Sequence, residues 1–338
     1  MRKNILLVFA FSFIIVFSCL VCSEAASKKS SNKIDIQQMF KQAEKLSSES
    51  NYEAAIKIMS KIIALKPNYD KAYAKRGDYY YALVYTKDYR NITYFPDEES
   101  VKYLSLAIDD LSKAIALKPD NTDYYETRSN FYGVRKQEGD KEKAKNDFLT
   151  VLELYNKKIA NKPSVENYFS RAELYFKFSL QFQNERRLDK KKRKFEIGEN
   201  QKYYLEKMKE DIECLLRISP ENLNEEMKQF KALGYLEVYI MYLEPEKKRD
   251  LQQKIIDKGV YLLTKEGLSA MDKYNINYKL GGAFQSQGQY EKAIKCYEAA
   301  IDIAEKNNFA AQYINQIRSF INNANRVKKM EVNYGKDS

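Results

Sequence analysis

Small and apolar residues recur along most of this chain at the spacing of one face of an α-helix. In segments 51–67 and 106–119, a small Ala is followed by an apolar residue four positions later and by another small or apolar residue three positions after that. Residues at i, i+4 and i+7 share one helix face. Both segments end in Ala-Leu-Lys-Pro, and proline ends a helix because it pushes the preceding residue out of the α region. The pattern predicts repeated amphipathic helices.

The most complete copy of this pattern lies in residues 274–305 and resembles the tetratricopeptide repeat. In that family a Leu-Gly pair and an aromatic residue on the first helix precede a Gly-x-Tyr turn, and small and aromatic residues follow on the second helix. Glycine suits such a turn because positive φ costs it little. The matching residues are Leu280, Gly281 and Phe284, then Gly288 and Tyr290, then Ala293, Tyr297 and Ala300.

With this copy as a template, the resemblance extends over nearly all of the chain after the N-terminus. It implies six helix–turn–helix repeats at about 36–69, 70–121, 122–160, 165–221, 223–268 and 274–307. The fifth repeat is degenerate, although Phe230, Leu233 and Gly234 resemble a first helix. Insertions are predicted near 82–100 and 178–202, with a linker at 26–35, a capping helix at 308–328 and a flexible tail at 329–338.

The resemblance implies an all-α, right-handed superhelical solenoid whose first helices line a concave surface that binds a partner protein or peptide. Residues off the packing positions of those helices are the candidate partner contacts: Lys71, Lys75, Asp78, Tyr81, Asp123, Glu126, Asn130, Glu166, Phe169, Glu173, Tyr278, Lys279 and Gln285. One branch of the family holds C-terminal carboxylates of chaperones with Lys, Asn and Arg. The equivalent positions include Phe40, Glu44, Asp123 and Thr127, so that pattern is missing.

Composition argues against catalysis. The chain has no histidine, which removes the commonest general base and transition-metal ligand. It carries no nucleophile elbow, phosphate-binding glycine loop or cysteine cluster with metal-ligand spacing. We therefore predict no catalytic residues, no metal and no cofactor. Cys214 and Cys296 lie on different predicted repeats and are expected to pack singly rather than to form a disulfide.

The N-terminus has the three-part layout of a secretory signal. Arg2 and Lys3 precede an apolar stretch from Ile5 to Val21, and small residues follow at Ser23, Ala25 and Ala26. Three outcomes stay open for residues 1–25. The signal is cleaved after Ala25, or Cys19 is lipidated because Val16-Phe-Ser-Cys19 resembles a bacterial lipobox, or the segment remains as an anchor. In each case the chain is expected outside the cytoplasm, in the periplasm or envelope or secreted.

The formal net charge is +11, and a basic run in the second insertion contributes to it. Such a run suits anionic lipid or an envelope polymer, or is a solvated surface segment. Nucleic acid is disfavoured because the chain is exported. The candidate anionic-surface contacts are Arg186, Arg187, Lys190, Lys191, Lys192, Arg193 and Lys194.

The sequence thus predicts a non-enzymatic scaffold of the cell envelope that binds another protein. The alternative is a surface-associating protein whose basic insertion contacts anionic lipid or polymer.

Overall fold

The computed structural model describes residues 35–88, 96–185, 187–189 and 194–334, and this part of the chain contains thirteen α-helices. The chain divides into two compact units, 1–151 and 152–338, and the division falls inside the sixth helix. The predicted all-α class is confirmed. The superhelical sense stays a prediction.

The helices of the first unit are α1 (Ile36–Ser48), α2 (Tyr52–Leu65), α3 (Asp70–Asp88), α4 (Glu98–Leu117) and α5 (Thr122–Arg135), followed by α6 (Asp140–Asn161), which continues into the second unit. The helices of the second unit are α7 (Val165–Ser179), α8 (Glu199–Arg217), α9 (Leu223–Leu243), α10 (Lys248–Leu263), α11 (Ala270–Ser286), α12 (Tyr290–Lys306) and α13 (Ala311–Tyr334). Short 3₁₀ segments span Leu180–Glu185 and Pro245–Lys247.

Local chemistry explains where many of these helices begin. A side-chain oxygen of the residue before the helix accepts a hydrogen bond from a free backbone N–H of the first turn, which stabilises the helix start. Asp35 caps α1 in this way by accepting from the amides of Gln37 and Gln38. The same role falls to Asn51, Asp97, Asn121, Ser164, Asn222 and Ser269.

Both predicted insertions have regular structure in the described residues. The first lies largely within long helices, because α3 extends to Asp88 and α4 begins at Glu98, and residues 89–95 lie outside the described part. The second contains an antiparallel pair of strands, β1 (Arg187–Asp189) and β2 (Lys194–Glu196), in which Leu188 pairs with Phe195. The sequence had indicated no strand there.

At the C-terminus, α13 runs to Tyr334. The helix therefore continues past the predicted end of the cap at 328, and the flexibility of residues 329–338 stays a prediction. Residues 335–338 lie outside the described residues. Ile317 and Ala324 of α13 are fully buried, whereas most other residues along it are exposed. A last helix with one buried stripe and one polar face suits the end of a repeat array.

The cores form where consecutive helices pack on each other. In the first unit one cluster gathers Ala43, Ala55, Met59 and Ile62 of α1 and α2, and a second centres on Leu104, Ala107 and Leu111 of α4. In the second unit the largest fully buried side chains are Leu205, Met208, Ile212, Leu215, Ile255, Leu262, Ile276 and Leu280.

One arginine in the first unit ties three consecutive helices together. Arg76 on α3 donates from Nε and Nη2 to the two carboxylate oxygens of Asp110 on α4, at 2.8 and 2.7 Å. Its Nη1 donates to Ser60 Oγ on α2 at 3.0 Å, and its guanidinium lies 5.9 Å from the ring centre of Tyr73. The hydrogen bond to Asp110 raises the pKa of Arg76, and burial raises the pKa of Asp110. The two parallel hydrogen bonds hold both groups in a fixed geometry.

The same arrangement occurs three more times in the described residues, each time from a Tyr-x-x-Arg motif on the first helix of a pair. Arg135 at the end of α5 bonds to Asp140 and Ser105, and its guanidinium lies 5.5 Å from the ring centre of Tyr132. Arg128 bonds to Asp147 and Ser112, and Arg171 bonds to Asp211 and Asn156. Tyr125 and Tyr168 occupy the place of Tyr73, at 5.8 and 5.9 Å from the guanidinium groups. These four arginines fix the spacing between neighbouring helices.

Candidate partner-binding groove

The first helices of successive pairs in the second unit, α7, α9 and α11, line a groove with a cavity of about 430 Å³. Its walls are mainly apolar and aromatic, and a few polar groups stand at its rim. The lining residues are Phe176, Met227, Phe230, Lys231, Gly234, Tyr235, Val238, Asn275, Tyr278 and Lys279. Pockets of this size with apolar walls and a few polar groups are typical ligand-binding sites.

One wall of the groove is an aromatic cluster held by a hydrogen bond. The ring of Tyr235 on α9 lies 4.7 Å from that of Phe176 and 6.1 Å from that of Phe169, both on α7. The Tyr235 hydroxyl donates to Glu173 Oε1 at 3.0 Å. Burial raises the pKa of Tyr235, and the Glu173 carboxylate raises it further. The phenol therefore stays protonated as a donor, and the ring has a fixed position.

The other wall joins α9 to α11 through an ion pair. Lys279 Nζ lies 2.6 Å from Glu237 Oε2, so the lysine crosses the space above α9. The lysine passes close to the backbone of α9 at Gly234, where a Cβ would lie 3.2 Å from Lys279 Nζ. Tyr278 lies beside this pair, and burial followed by the charge of Glu237 raises its pKa. Gly234 thus lies directly beneath the Lys279–Glu237 pair that forms this wall.

Some polar side chains at the rim are paired within the chain, and others have no partner among the described residues. Lys228 forms an ion pair with Glu166 of α7. Lys231, one turn further along α9, is exposed, and no carboxylate of the described chain lies within ion-pair distance of it. The half-buried side-chain amide of Asn275 has no hydrogen-bond partner among the same described residues. Lys231 and Asn275 are therefore available to a bound partner.

A second cavity of about 340 Å³ lies further along α11, among Glu237, Tyr278, Gln285, Tyr297 and Phe320. The Tyr297 hydroxyl donates to Gln285 Oε1 at 3.0 Å. Tyr278 and Lys279 line both cavities, so the groove continues along α11 towards α13.

The partner contacts that the sequence predicts in the second unit have different positions. Some line the cavities, and others hold residues of α9 in place. Tyr278 and Lys279 line the groove, Glu166 and Glu173 bind groove residues of α9, and Gln285 lines the second cavity. Phe169 is buried, with 8% of its surface exposed. This corrects the expectation that it faces a partner, because its ring supports Tyr235 from within the fold.

The candidate contacts predicted in the first unit lie on α3 and α5. Lys71, Asp123 and Asn130 are exposed, and Glu126 is half-buried. Lys75 lies 3.5 Å from Asp78, and the ring of Tyr81 stacks on Phe131 at 4.7 Å between centres. Burial raises the pKa of Asp78, against the effect of Lys75. A partner-binding role for these residues stays a prediction.

None of the partner contacts predicted from the sequence lies on α9, although residues of α9 line the cavity. Met227, Lys231, Tyr235 and Val238 line the cavity, whereas no candidate had been placed on the fifth repeat. One signal was present: the run from Leu233 to Leu243 contains only one charged residue, Glu237. A helix with apolar residues on more than one face is typically enclosed by neighbours or partners.

Other predictions fall on residues outside the described part. These are Cys19, the rest of the segment 1–25, and Arg186 and Lys190 to Arg193 of the basic run. Arg187 and Lys194 lie in β1 and β2. Contact of the basic run with an anionic surface stays a prediction. Across the described ranges, no helix is both long and apolar enough to cross a bilayer, and no group of three acidic or cysteine residues is placed to hold a metal ion.

Comparison with known families identifies one segment directly. Residues 274–307, which form α11 and α12, match the tetratricopeptide repeat family model. The predicted sixth repeat has these same bounds, and its assignment to the family is confirmed. No curated protein is significantly similar to this chain in sequence.

Solved structures of low sequence identity resemble the chain in part. A human IFIT1 dimer with PPP-AAAA is 16% identical, with a TM-score of 0.38, and the match covers 79% of this chain and 47% of that one. A thermophilic TPR protein of Thermus thermophilus is 12% identical, with coverages of 85% and 98% and a TM-score of 0.32. The Assembly Chaperone of RpL4 is 10% identical, with coverages of 90% and 100% and a TM-score of 0.43. The chain spans about half the length of the IFIT1 chain.

Proposed function

We propose that this chain, whose residues 274–307 are a tetratricopeptide repeat, is a non-enzymatic scaffold of the cell envelope that binds a segment of a partner protein between α7, α9 and α11. The observation that carries the proposal is the cavity of about 430 Å³, whose aromatic walls are held in place while Lys231 and Asn275 at its rim are available.

The cavity suits a side chain presented by another protein. Its walls come from Phe176, Met227, Phe230, Val238 and Tyr278, which together offer apolar contact on several sides. Grooves between helices that bind protein segments use such apolar pockets for anchoring side chains and polar rims for orientation. Since the rings are already held by their own contacts, little conformational entropy would be lost on binding.

A position-specific crosslinking experiment tests this function. A photo-crosslinking amino acid in place of Asn275 is expected to form adducts with a discrete partner in envelope fractions. The same amino acid in place of exposed Lys295 on α12 should not form these adducts. Val238→Trp fills the cavity and should remove the Asn275 adducts while the helical circular dichroism is unchanged. Equal adducts from both positions, or adducts that persist with Val238→Trp, would count against the groove as the binding surface.

The envelope location rests on the N-terminal sequence, and the mass of the mature chain tests it. Cleavage after Ala25 predicts a chain that starts at Ala26, whereas lipidation predicts a chain that starts at Cys19 with the added mass of acyl groups. Cys19→Ala should then release the chain from membrane fractions, and Cys22→Ala is the matched control. An unprocessed N-terminus on a chain found with the cytoplasmic proteins would contradict export.

A further inference from the structure

The shape of the cavity indicates what kind of side chain enters it. Phe176 and Tyr235 bound one side, Tyr278 bounds the other, and Met227 and Val238 complete the walls along α9. None of these groups carries a charge. A polar side chain placed among them would lose hydrogen bonds to water without gaining replacements. The cavity therefore suits a bulky aliphatic or aromatic side chain.

Three carboxylates beside the cavity already have partners within the chain, whereas Lys231 has none among the described residues. Glu166 pairs with Lys228, and Glu237 pairs with Lys279. Glu173 is held by the Tyr235 hydroxyl and lies 3.7 Å from Lys177. These contacts leave no carboxylate at the rim that could neutralise Lys231. The rim of the cavity thus has a local excess of positive charge.

The two available rim groups both donate hydrogen bonds. Lys231 carries an ammonium group, and Asn275 on α11 carries an amide that both donates and accepts. A lysine rim beside an apolar cavity favours a carboxylate close to the anchoring side chain and disfavours a second cation.

We propose that the groove selects a partner segment in which one bulky apolar side chain enters the cavity and an adjacent acidic side chain pairs with Lys231. This inference rests on the proposed function, because it names the chemistry of the segment that the same groove binds. Lys231 acts as the specificity-determining residue, and the apolar walls contribute most of the contact area. A basic neighbour would be repelled, so the groove discriminates among apolar segments by the charge that flanks them.

Short fluorescent peptides test the inference with the purified full chain. One peptide carries a single Phe flanked by Asp, a second has Lys in place of Asp, and a third has Ala in place of Phe. Fluorescence anisotropy is expected to show binding of the first peptide at least about fivefold tighter than of the second, the range expected when an exposed ion pair becomes a repulsion. The third peptide should bind more weakly than the first.

Reversing the charge of Lys231 tests whether this residue sets the preference between the peptides. Lys231→Glu is expected to reverse the preference between the Asp-flanked and Lys-flanked peptides, whereas Lys295→Glu changes the net charge equally and should leave it unaltered. High salt should reduce the preference in the wild type. A free carboxylate such as phenylpropionate, added as competitor, should displace the Asp-flanked peptide only weakly.

Three results would overturn the inference. The peptides bind equally, the preference survives Lys231→Glu, or no peptide binds at all. In each case adducts from Asn275 in the envelope experiment would still support the groove as a protein-binding surface. Loss of those adducts together with retained peptide preference would instead contradict the proposed function, so the two failures are distinguishable.

Discussion

Replacement of Gly281 by Ala is expected to lower the free energy of unfolding of the second unit by about 3 kcal/mol, although alanine is the better helix former. A Cβ at residue 281 would lie 2.4 Å from Cε1 and 2.5 Å from Cδ1 of the Tyr297 ring. The ring has little room to move, because it stacks on Phe320 with 5.8 Å between centres and its hydroxyl is bonded to Gln285. The variant must therefore separate α11 from α12 or displace a buried tyrosine.

The neighbouring glycine provides the matched control. Gly282 lies on the same helix and is exposed, and a Cβ there would meet only the Tyr297 hydroxyl oxygen, at 3.9 Å. Gly282→Ala is expected to raise stability by about 0.5–1 kcal/mol through helix propensity alone. Urea denaturation followed by circular dichroism, with hydrogen exchange of α11 and α12, measures both variants. Similar stabilities for the two would show that close packing at residue 281 does not limit the fold.

The contrast between these glycines and Gly234 shows where local sequence reasoning succeeds and where it ends. Leu280-Gly281 belongs to the repeat pattern, and at Gly281 the backbone of α11 packs closely on Tyr297 of the paired helix α12. Residues 233 and 234 form the same Leu-Gly dipeptide, but Gly234 faces Lys279 of the following helical pair at the wall of the groove. The pattern within one repeat could not distinguish these roles, because the difference depends on which side chain the next repeat supplies.

The arginine contacts are a second feature of the fold that could not be predicted from the sequence. The Tyr-x-x-Arg motifs are visible in the sequence, but the partner aspartates lie 34, 19, 5 and 40 residues after Arg76, Arg128, Arg135 and Arg171. The spacing varies because Arg76 and Asp110 lie on either side of the first insertion, and β1 and β2 lie between Arg171 and Asp211. Arg128 and Arg135, in contrast, both lie on α5 and bond to aspartates of the next helix, α6. No fixed period links each arginine to its aspartate, so only the folded chain reveals the pairs.

The helices, in contrast, could be predicted from local sequence. Ala55, Met59 and Ile62, or Ala107, Leu111 and Ala114, share one face through spacing that is local in sequence, and all six are buried. The groove was partly predictable, because Tyr278 and Lys279 came from the repeat pattern, whereas Lys231 and Tyr235 lie on a degenerate repeat. Their position depends on tertiary packing of α9 between α7 and α11.

The second large effect is expected at Arg128, where loss of the guanidinium should cost about 3–5 kcal/mol of unfolding free energy. Arg128 donates from Nε and Nη2 to the Asp147 carboxylate at 2.9 and 2.6 Å, and from Nη1 to Ser112 Oγ at 2.9 Å. Asp147 is buried, with 4% of its surface exposed. In Arg128→Met this carboxylate would be buried without its partner, and α4, α5 and α6 would lose their shared contact.

Two further variants decide whether the cost comes from the unpaired charge. Arg128→Met combined with Asp147→Leu removes both charges, and it should recover most of the lost stability because apolar residues of similar volume replace a buried ion pair well. Lys141→Met removes an exposed cation from the same helical pair and should change stability by less than about 0.5 kcal/mol. If Arg128→Met were no more destabilising than Lys141→Met, the arginine would not fix the helix spacing. If the double variant were as unstable as Arg128→Met alone, the bond to Ser112 rather than the charge on Asp147 would carry the effect.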